Sequence, residues 1–317
     1  MWRRLREAGV LGINGRNAIY TLRWNPRRLY PLVDDKLATK RLCEAAGIPA
    51  PKLLAVAHHH YELRRLLTEL EAHASFVLKP ARGAMGNGIV VVVGRRGARF
   101  LRSGGRELSR EAFAYHAAGI ISGLYSLAGQ SDVAMVEERL EAHPALAALC
   151  TDGVPDVRVI VYRGYPVMSM TRLPTTRSAG RANLHQGAIG VGIDLATGCT
   201  VGAVLHGRKV TENPDTGASV IGCQIPDWDR ALEIAVRATD QTGLGYVGAD
   251  AVLDAQRGPM ILEMNARPGL AIQLANGAGL LHRLAAVDAL AGVARPLAER
   301  IELGRGLAGR GRTRRAA

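Results

Sequence analysis

The sequence predicts an α+β protein, with helices packed on mainly antiparallel strands rather than on one long doubly wound sheet. Three observations carry this. Apolar residues recur at helical spacing in 34–47, 61–73 and 229–241. Apolar runs face each other across short turns, 157–162 with 167–172, and 250–254 with 259–265. No segment of the chain repeats another.

Taken in order, residues 34–47 read as an amphipathic helix with Leu37, Leu42 and Ala45 inward and Gly47 as its stop. The Ile48–Pro51 stretch forces an extended exit. A short strand follows at 53–57, then the helix at 61–73 with Leu63, Leu66, Leu67 and Leu70 inward. Strands are expected at 76–79 and 89–93, on either side of a glycine-rich loop, then a helix at 112–125 and a strand at 133–136. A helix at 144–149 opens the second half. The 157–172 hairpin, a loop at 174–185 and glycine-rich strand-like segments to about residue 220 come next. The 229–241 helix precedes the 250–265 hairpin, and a helix at 280–291 closes the pattern.

Composition bounds the function. The chain has 317 residues and 48% hydrophobic residues, enough for substantial cores in two or three sub-domains. No apolar run reaches membrane-spanning length. The basic N-terminus lacks the apolar centre and cleavage site of a signal peptide. Cys43, Cys150, Cys199 and Cys223 are scattered, which favours a reducing cytoplasm over a disulfide scaffold or zinc site. The net charge of +13 sits at the ends: residues 1–33 hold seven Arg and one Glu, and residues 304–317 hold five Arg and no acid. The body carries only +2. The Gly/Arg-rich 304–317 reads as a disordered, solvated tail or as a contact for nucleic acid or an acidic partner.

Chemistry concentrates in GADAVLDAQRGPMILEMN. Folding this hairpin between Gln256 and Arg257 sets Asp250 opposite Glu263, and the two-residue period puts Asn265 beside Glu263. Two carboxylates and an amide oxygen suit Mg²⁺; an ordinary hairpin with a polar wet face fits the same letters. Upstream, Lys79 ends a strand, and Gly83, Gly86 and Gly88 follow in FVLKPARGAMGNGIVVV. The lysine precedes the glycines and a β-branched run follows them, so neither a Walker loop nor a Rossmann fingerprint is present. The loop reads as a phosphate lid or as a plain hairpin turn. Lys36 is a second cation, or a solvated helix lysine. DVAMVEERL ends a strand at Glu137 and Glu138, an edge able to present main-chain groups to a base and a carboxylate to a ribose, or an unremarkable strand end. Arg158 lies in a strand otherwise built for burial and needs a partner. Arg181, Asn183 and Arg267 pair with structural carboxylates or face an anionic ligand. His58, His59 and His60 read as solvated, His185 as structural or ligand-facing, and Cys223 as a small buried hydrophobe.

In this order, from Lys36 through Lys79, the glycine loop, Glu137-Glu138 and Arg158 to Asp250 and Glu263-x-Asn265, the parts resemble the ATP-grasp superfamily over roughly 12–295. NLHQG and VLKP…GIVVV are similar to segments of the ribosomal-protein glutamate ligases, in the glutamate-ligase-like branch. NPDTG, IPDW and GPMILEMNARPG are similar to sugar-transfer-associated ATP-grasp proteins. The resemblance implies an ATP-grasp fold of two α+β subdomains clamping ATP, at 34–140 and 141–303. Residues 1–33 would be a truncated form of the region that precedes the fold in relatives, which leaves the acceptor pocket different from theirs. It further implies that Lys36 and Lys79 contact the α- and β-phosphates. Gly83, Met85, Gly86 and Gly88 would form the lid, and Glu137, Glu138 and Leu140 would line the adenine and ribose pocket. Asp250, Glu263 and Asn265 would hold two Mg²⁺ ions, or Mn²⁺. Arg158, Arg181, Asn183 and Arg267 would face the transferred phosphoryl group and the acyl substrate.

The implied reaction is ATP-dependent joining of a carboxylate to an amine on an amino acid, peptide or protein terminus, through an acyl phosphate. A phosphotransferase or transferase serving cell-surface glycans is the second reading, favoured slightly by the PDTG and PDW segments. A nucleic-acid module using the basic ends is the third, weakened by an aromatic content of 4% and a near-neutral body. A degenerate, regulatory ATP binder is opposed by the complete Asp250, Glu263 and Asn265 set. Homo-oligomerisation is left open.

Overall fold

The computed structural model describes residues 2–83, 86–126, 129–290 and 292–308. Met85 and the tail 309–317 lie outside them, as does Ala291 at the end of the last expected helix. The chain divides into two compact units, a smaller one of 35–37 and 51–140 and a larger one of 1–34, 38–50 and 141–317. This partition differs from the sequence expectation. Residues 1–34 group with the larger unit instead of standing apart, and 38–50 leave the smaller one.

The smaller unit is a six-stranded antiparallel sheet in the order β1-β6-β2-β3-β4-β5. Its strands are β1 (Leu53–Ala57), β2 (Phe76–Pro80), β3 (Val90–Arg96), β4 (Arg99–Arg102), β5 (Glu107–Leu108) and β6 (Ala134–Glu137). The helices Leu63–Glu69 and Arg110–Ile121 lie on one face. All three phenylalanines of the chain meet in that core: Phe76 and Phe113 flank Phe100, with ring centroids 4.8–5.8 Å apart. Alternation then decides the other face. Phe76 and Leu78 point into the helix-covered core, so Val77 and Lys79 emerge on the far side.

The larger unit is a seven-stranded antiparallel sheet in the order β11-β10-β9-β8-β7-β12-β13. Its strands are β7 (Asp156–Tyr162), β8 (Tyr165–Leu173), β9 (Ile189–Ile193), β10 (Thr200–Leu205), β11 (Arg208–Val210), β12 (Tyr246–Asp254) and β13 (Gly258–Asn265). Val157, Val159 and Val161 pack under the helix Trp228–Asp240 with Leu232, Ala235 and Val236. The opposite face carries Asp156, Arg158, Ile160 and Tyr162 by the same alternation. Its apolar half is covered by Leu11, Tyr20, Ile272 and Leu284. The N-terminal segment thus completes a core. Asn25 fixes it by donating to the Tyr246 and Ala266 carbonyls and accepting from Tyr246 N.

Two further differences from the sequence reading have local causes. The 34–47 helix is broken: Asp35 accepts from Leu37 N at 2.9 Å and restarts the chain as Lys36–Ala45. Residues 304–308, expected in the tail, are folded: Gly304 lies inside the helix Leu297–Gly306, and Leu307 and Ala308 are buried beyond it.

Candidate active site

The nucleotide-facing candidates fall on the smaller unit. β2 and β6 pair with Val77 opposite Glu137 and Lys79 opposite Met135. Both charged side chains lie on the face away from the helices, and Lys79 Nζ forms a buried ion pair with Glu137. Leu53, Val56, Val77 and Val91 are half-buried around them, an apolar wall beside two fixed charges. Lys36 opens its helix, where a cation opposes the dipole. Its ammonium donates to Gly83 O at 2.7 Å, and its amide to Ala81 O at 2.9 Å. The first lysine is therefore anchored at the start of the glycine loop.

The glycines are there for backbone reasons. A Cβ on Gly83 would sit 2.2 Å from Pro80 Cγ, and Gly86 and Gly88 have φ of +74° and +76°. Ser126 forms an antiparallel bridge with Gly83, and the His116 ring meets Gly88 O at 2.9 Å. Glu138 is committed elsewhere in this state. Its Oε1 accepts from Lys52 N at 2.7 Å and its amide donates to Lys52 O, which fixes the chain entering β1. Leu140 is buried.

The larger unit carries the carboxylates. Asp250 stands opposite Glu263, and Gly248 opposite Asn265, as the hairpin reading expects. The turn itself is centred one half-step away, with Asp254 opposite Gly258 and Ala251 opposite Ile261. Leu262 is the extra residue of a bulge that restores the register. Without it Asp250 would oppose Leu262, and Glu263 would turn to the covered face. On the other side Asp250 faces Arg158 of β7.

That row is densely bonded. Arg158 donates Nε to Asp250 Oδ1 at 2.6 Å and Nη2 to Oδ2 at 2.5 Å, a bidentate fork. Arg172, at the end of β8, donates Nη2 to Asp250 Oδ2 at 2.8 Å and Nε to Asp156 Oδ1 at 2.7 Å. Asn265 Nδ2 adds a bond to Asp250 Oδ2 at 3.2 Å, leaving its carbonyl oxygen turned from that contact. Asp250 is fully buried. Burial pushes its carboxyl up, yet Arg158, Arg172 and side-chain bonds from Arg158 and Glu263 hold it below the usual carboxylate range. Burial pushes Asp156 up to about 6 against the pull of Arg172, with the nearby Asp250 charge adding to the rise. The same two carboxylates raise Arg172 despite its own desolvation.

The donor set fits a hard cation. Asp250 and Glu263 stand opposite each other on β12 and β13, and carboxylate and amide oxygens on one face are the donor type a hard cation takes. Glu263 and Asn265 are half-buried at the edge strand β13, whereas Asp250 Oδ2 already serves three donors.

Other predicted residues are placed differently. Arg158 is bound to Asp250 and holds that carboxylate rather than facing out. Asn183 Oδ1 accepts from His185 N and caps the turn Leu184–Gln186; Arg181 is exposed and reaches Gln186 at 3.3 Å. Both belong to the loop between β8 and β9, with exposed His185. Arg267 is exposed, its guanidinium 5.4 Å from the Tyr30 ring centre and 3.8 Å from Asp34. The NPDTG and IPDW segments are structural. Asn213 donates to Leu149 O, Asp215 accepts from Thr176 N and pins the β8–β9 loop, and Trp228 donates to Leu195 O. Cys223 is half-buried against the core, not enclosed by it. His58, His59 and His60 are exposed.

Three residues escape the sequence reading. Arg172 and Asp156 show the signal that exposed Arg158, a charge in an apolar strand, at each end of the predicted hairpin. Buried Arg16 donates to the Arg267 and Pro268 carbonyls and shapes the loop after β13; no local pattern marks it.

The family model described as sugar-transfer associated ATP-grasp matches residues 15–289. A probable alpha-L-glutamate ligase of Klebsiella pneumoniae (strain 342) is 32% identical over 105 residues, 29% of this chain and 34% of that protein. The match thus spans about a third of the curated relative's length. Among solved structures, the ATP-grasp ligase PsnB with its minimal precursor is 18% identical, covering 84% of this chain and 62% of that one at a TM-score of 0.43. The D-cycloserine synthetase DcsG is 16% identical, covering 87% of this chain and 73% of that one at a TM-score of 0.46.

Proposed function

This chain belongs to the sugar-transfer associated ATP-grasp family, and from that premise we propose that it is an ATP-dependent carboxylate–amine ligase working through an acyl phosphate. The fold brings ATP and Mg²⁺ with it. One observation carries the reading furthest: Asp250, Glu263 and Asn265 share one sheet face, with Arg158 and Arg172 fixing Asp250 from below. The local likeness to a probable alpha-L-glutamate ligase supports an amino acid or peptide as amine acceptor.

The chemistry needs charge neutralisation more than covalent help from the protein. A carboxylate oxygen of the substrate attacks the γ-phosphorus and ADP leaves; the amine nitrogen then attacks the carbonyl carbon, phosphate leaves and the nitrogen loses a proton. Lys36 and Lys79 bind the nucleotide phosphates as point cations, under the turn containing Gly83, Gly86 and Gly88. Glu137 holds Lys79 in place. Glu263 and Asn265, with Asp250 behind them, would hold magnesium, as one or two ions. There it would supply charge withdrawal from the phosphoryl oxygens. Arg267 stabilises the developing charge on the acyl group. The β8–β9 loop, with Arg181, Asn183 and His185, contacts the acyl substrate, and its pinning by Asp215 limits its reorientation cost.

The test is ADP release with Mg²⁺ across a panel of amino acids and peptides, with mass spectrometry of the products. The ligase reading expects an amide together with ADP and phosphate. A stable phosphorylated product and no amide would overturn it in favour of a phosphotransferase or transferase on a glycan precursor, a second reading to which the sugar-transfer association of the family lends support.

A further inference from the structure

The N-terminal segment packs with one stripe inward and one outward. Residues 13–24 form a continuous helical run, Ile13–Gly15, Arg16–Thr21 and Leu22–Trp24, whose middle turn is wider than an α-helix. Arg16, Tyr20 and Thr21 are buried. The spacing that buries them places Ile19 and Leu22 on the opposite stripe, and these are 52% and 60% exposed; Ile13, in the first turn, is 61% exposed. The stripe is held rigidly. Leu11 exchanges two main-chain bonds with the Gln273 amide, Leu281 N donates to Gly9 O, and the Asn25 bonds close its far end. The exposure therefore belongs to an ordered surface.

The charges within and directly after the stripe in sequence are arginines. Arg23 lies within it, and exposed Arg27 and Arg28 follow in the next turn. Arg23 rests 5.1 Å from the Trp24 ring centre, and among the described residues no ion pair engages Arg23, Arg27 or Arg28. Residues 1–33 hold seven Arg against one Glu in a protein whose body is nearly neutral.

We infer that this segment is a docking surface for an anionic lipid bilayer, with Ile19 and Leu22 entering the headgroup boundary and Arg23, Arg27 and Arg28 meeting the lipid phosphates. Exposed branched aliphatics among arginines suit a lipid interface. A nucleic-acid surface would offer aromatic stacking platforms, and the outward stripe offers none. Among the described residues no helix is long and apolar enough to cross a membrane, so the association lies on the surface. It stands independently of the catalytic reading.

The experiment is vesicle cosedimentation of the full chain carrying Arg310→Gln, Arg312→Gln, Arg314→Gln and Arg315→Gln, so that the terminal arginines do not contribute. Vesicles of equal parts phosphatidylcholine and phosphatidylserine are compared with phosphatidylcholine alone. Binding to the anionic vesicles is expected to weaken with salt. It should fall about fivefold for each of Arg27→Gln and Arg28→Gln, and about tenfold or more in Ile19→Ser/Leu22→Ser with an unchanged melting curve. Absence of binding at low salt overturns the inference. So does binding that Ile19→Ser/Leu22→Ser leaves intact, or an RNA oligonucleotide retained more tightly than the vesicles. A concentration-dependent dimer abolished by Leu22→Ser, without vesicle binding, would assign the stripe to a second copy of the chain.

Discussion

Arg158 and Asp250 face each other across β7 and β12, joined by two parallel hydrogen bonds of 2.6 and 2.5 Å. An arginine in the middle of an apolar strand exists here to hold one carboxylate. That carboxylate in turn sets the position of Glu263 and Asn265 on the neighbouring strand. The arrangement leads to predictions that separate chemistry from stability.

Glu263→Gln keeps shape and half-burial but removes a charge from the face proposed to bind the cation. Turnover measured as ADP release is expected to fall about a hundredfold or more, the scale of losing one preorganised electrostatic group. The urea midpoint should stay close to that of the parent. Parent-like turnover would remove Glu263 from the site.

Arg172 serves two buried carboxylates, Asp156 and Asp250. Arg172→Met leaves Asp156 without its main partner and is expected to cost about 3–5 kcal/mol in urea unfolding. Asp156→Leu/Arg172→Met should recover much of that loss, because the desolvation penalty leaves with the charges. A double-mutant cycle with zero coupling energy would contradict the pairing.

Asp254 caps the hairpin loop. It accepts from Gln256 N, Arg257 N and Arg257 Nε, and from Glu141 N. Burial pushes its carboxyl up, but these bonds, led by Arg257, hold it below 3.8. A folded pKa below the unfolded one gives stability that is present above the unfolded value and lost as pH falls through the folded value. Asp254→Asn should therefore destabilise by about 1–2 kcal/mol at neutral pH. The gap to the parent should narrow once the pH drops below 3.8. Melting curves across pH 2–7 read this directly, and a constant gap would contradict it.

Gly192 lets the helix Ile272–Asn276 lie on β9, since a Cβ there would sit 2.5 Å from Ala275 O. Gly192→Ala is expected to cost about 1–3 kcal/mol through overpacking. Gly12→Ala, where a Cβ meets nothing within 4 Å, is the control and should stay within about 0.5 kcal/mol. Equal melting temperatures for the two variants would refute the close approach.

Much of the fold is legible locally because helices and strands write their own periods. The 229–241 expectation meets a helix at Trp228–Asp240, and the 157–172 hairpin meets β7 and β8. The expected pairing of Asp250 with Glu263 is present, but the bulge at Leu262 produces it, because the turn is centred half a step from the expected midpoint. The helix Ile272–Asn276 and the strands β4 and β5 are short and lack a full period, so their existence depends on what they pack against. The helical run at 13–24 mixes buried Arg16 with exposed Ile19, the reverse of the usual code, and so reads as nothing in particular.

By itself the sequence determined which residue types alternate, where glycine was required, and that two carboxylates would lie in the two strands of one hairpin, since these follow from short-range sterics and a fixed period. Only the tertiary structure decided what those carboxylates meet. The bulge at Leu262, the meeting of Arg172 with Asp156 and Asp250, and the docking of residues 1–34 on the larger sheet join positions far apart in sequence. Such contacts leave no local trace, because burial and ion pairing are satisfied by whatever the folded chain brings near.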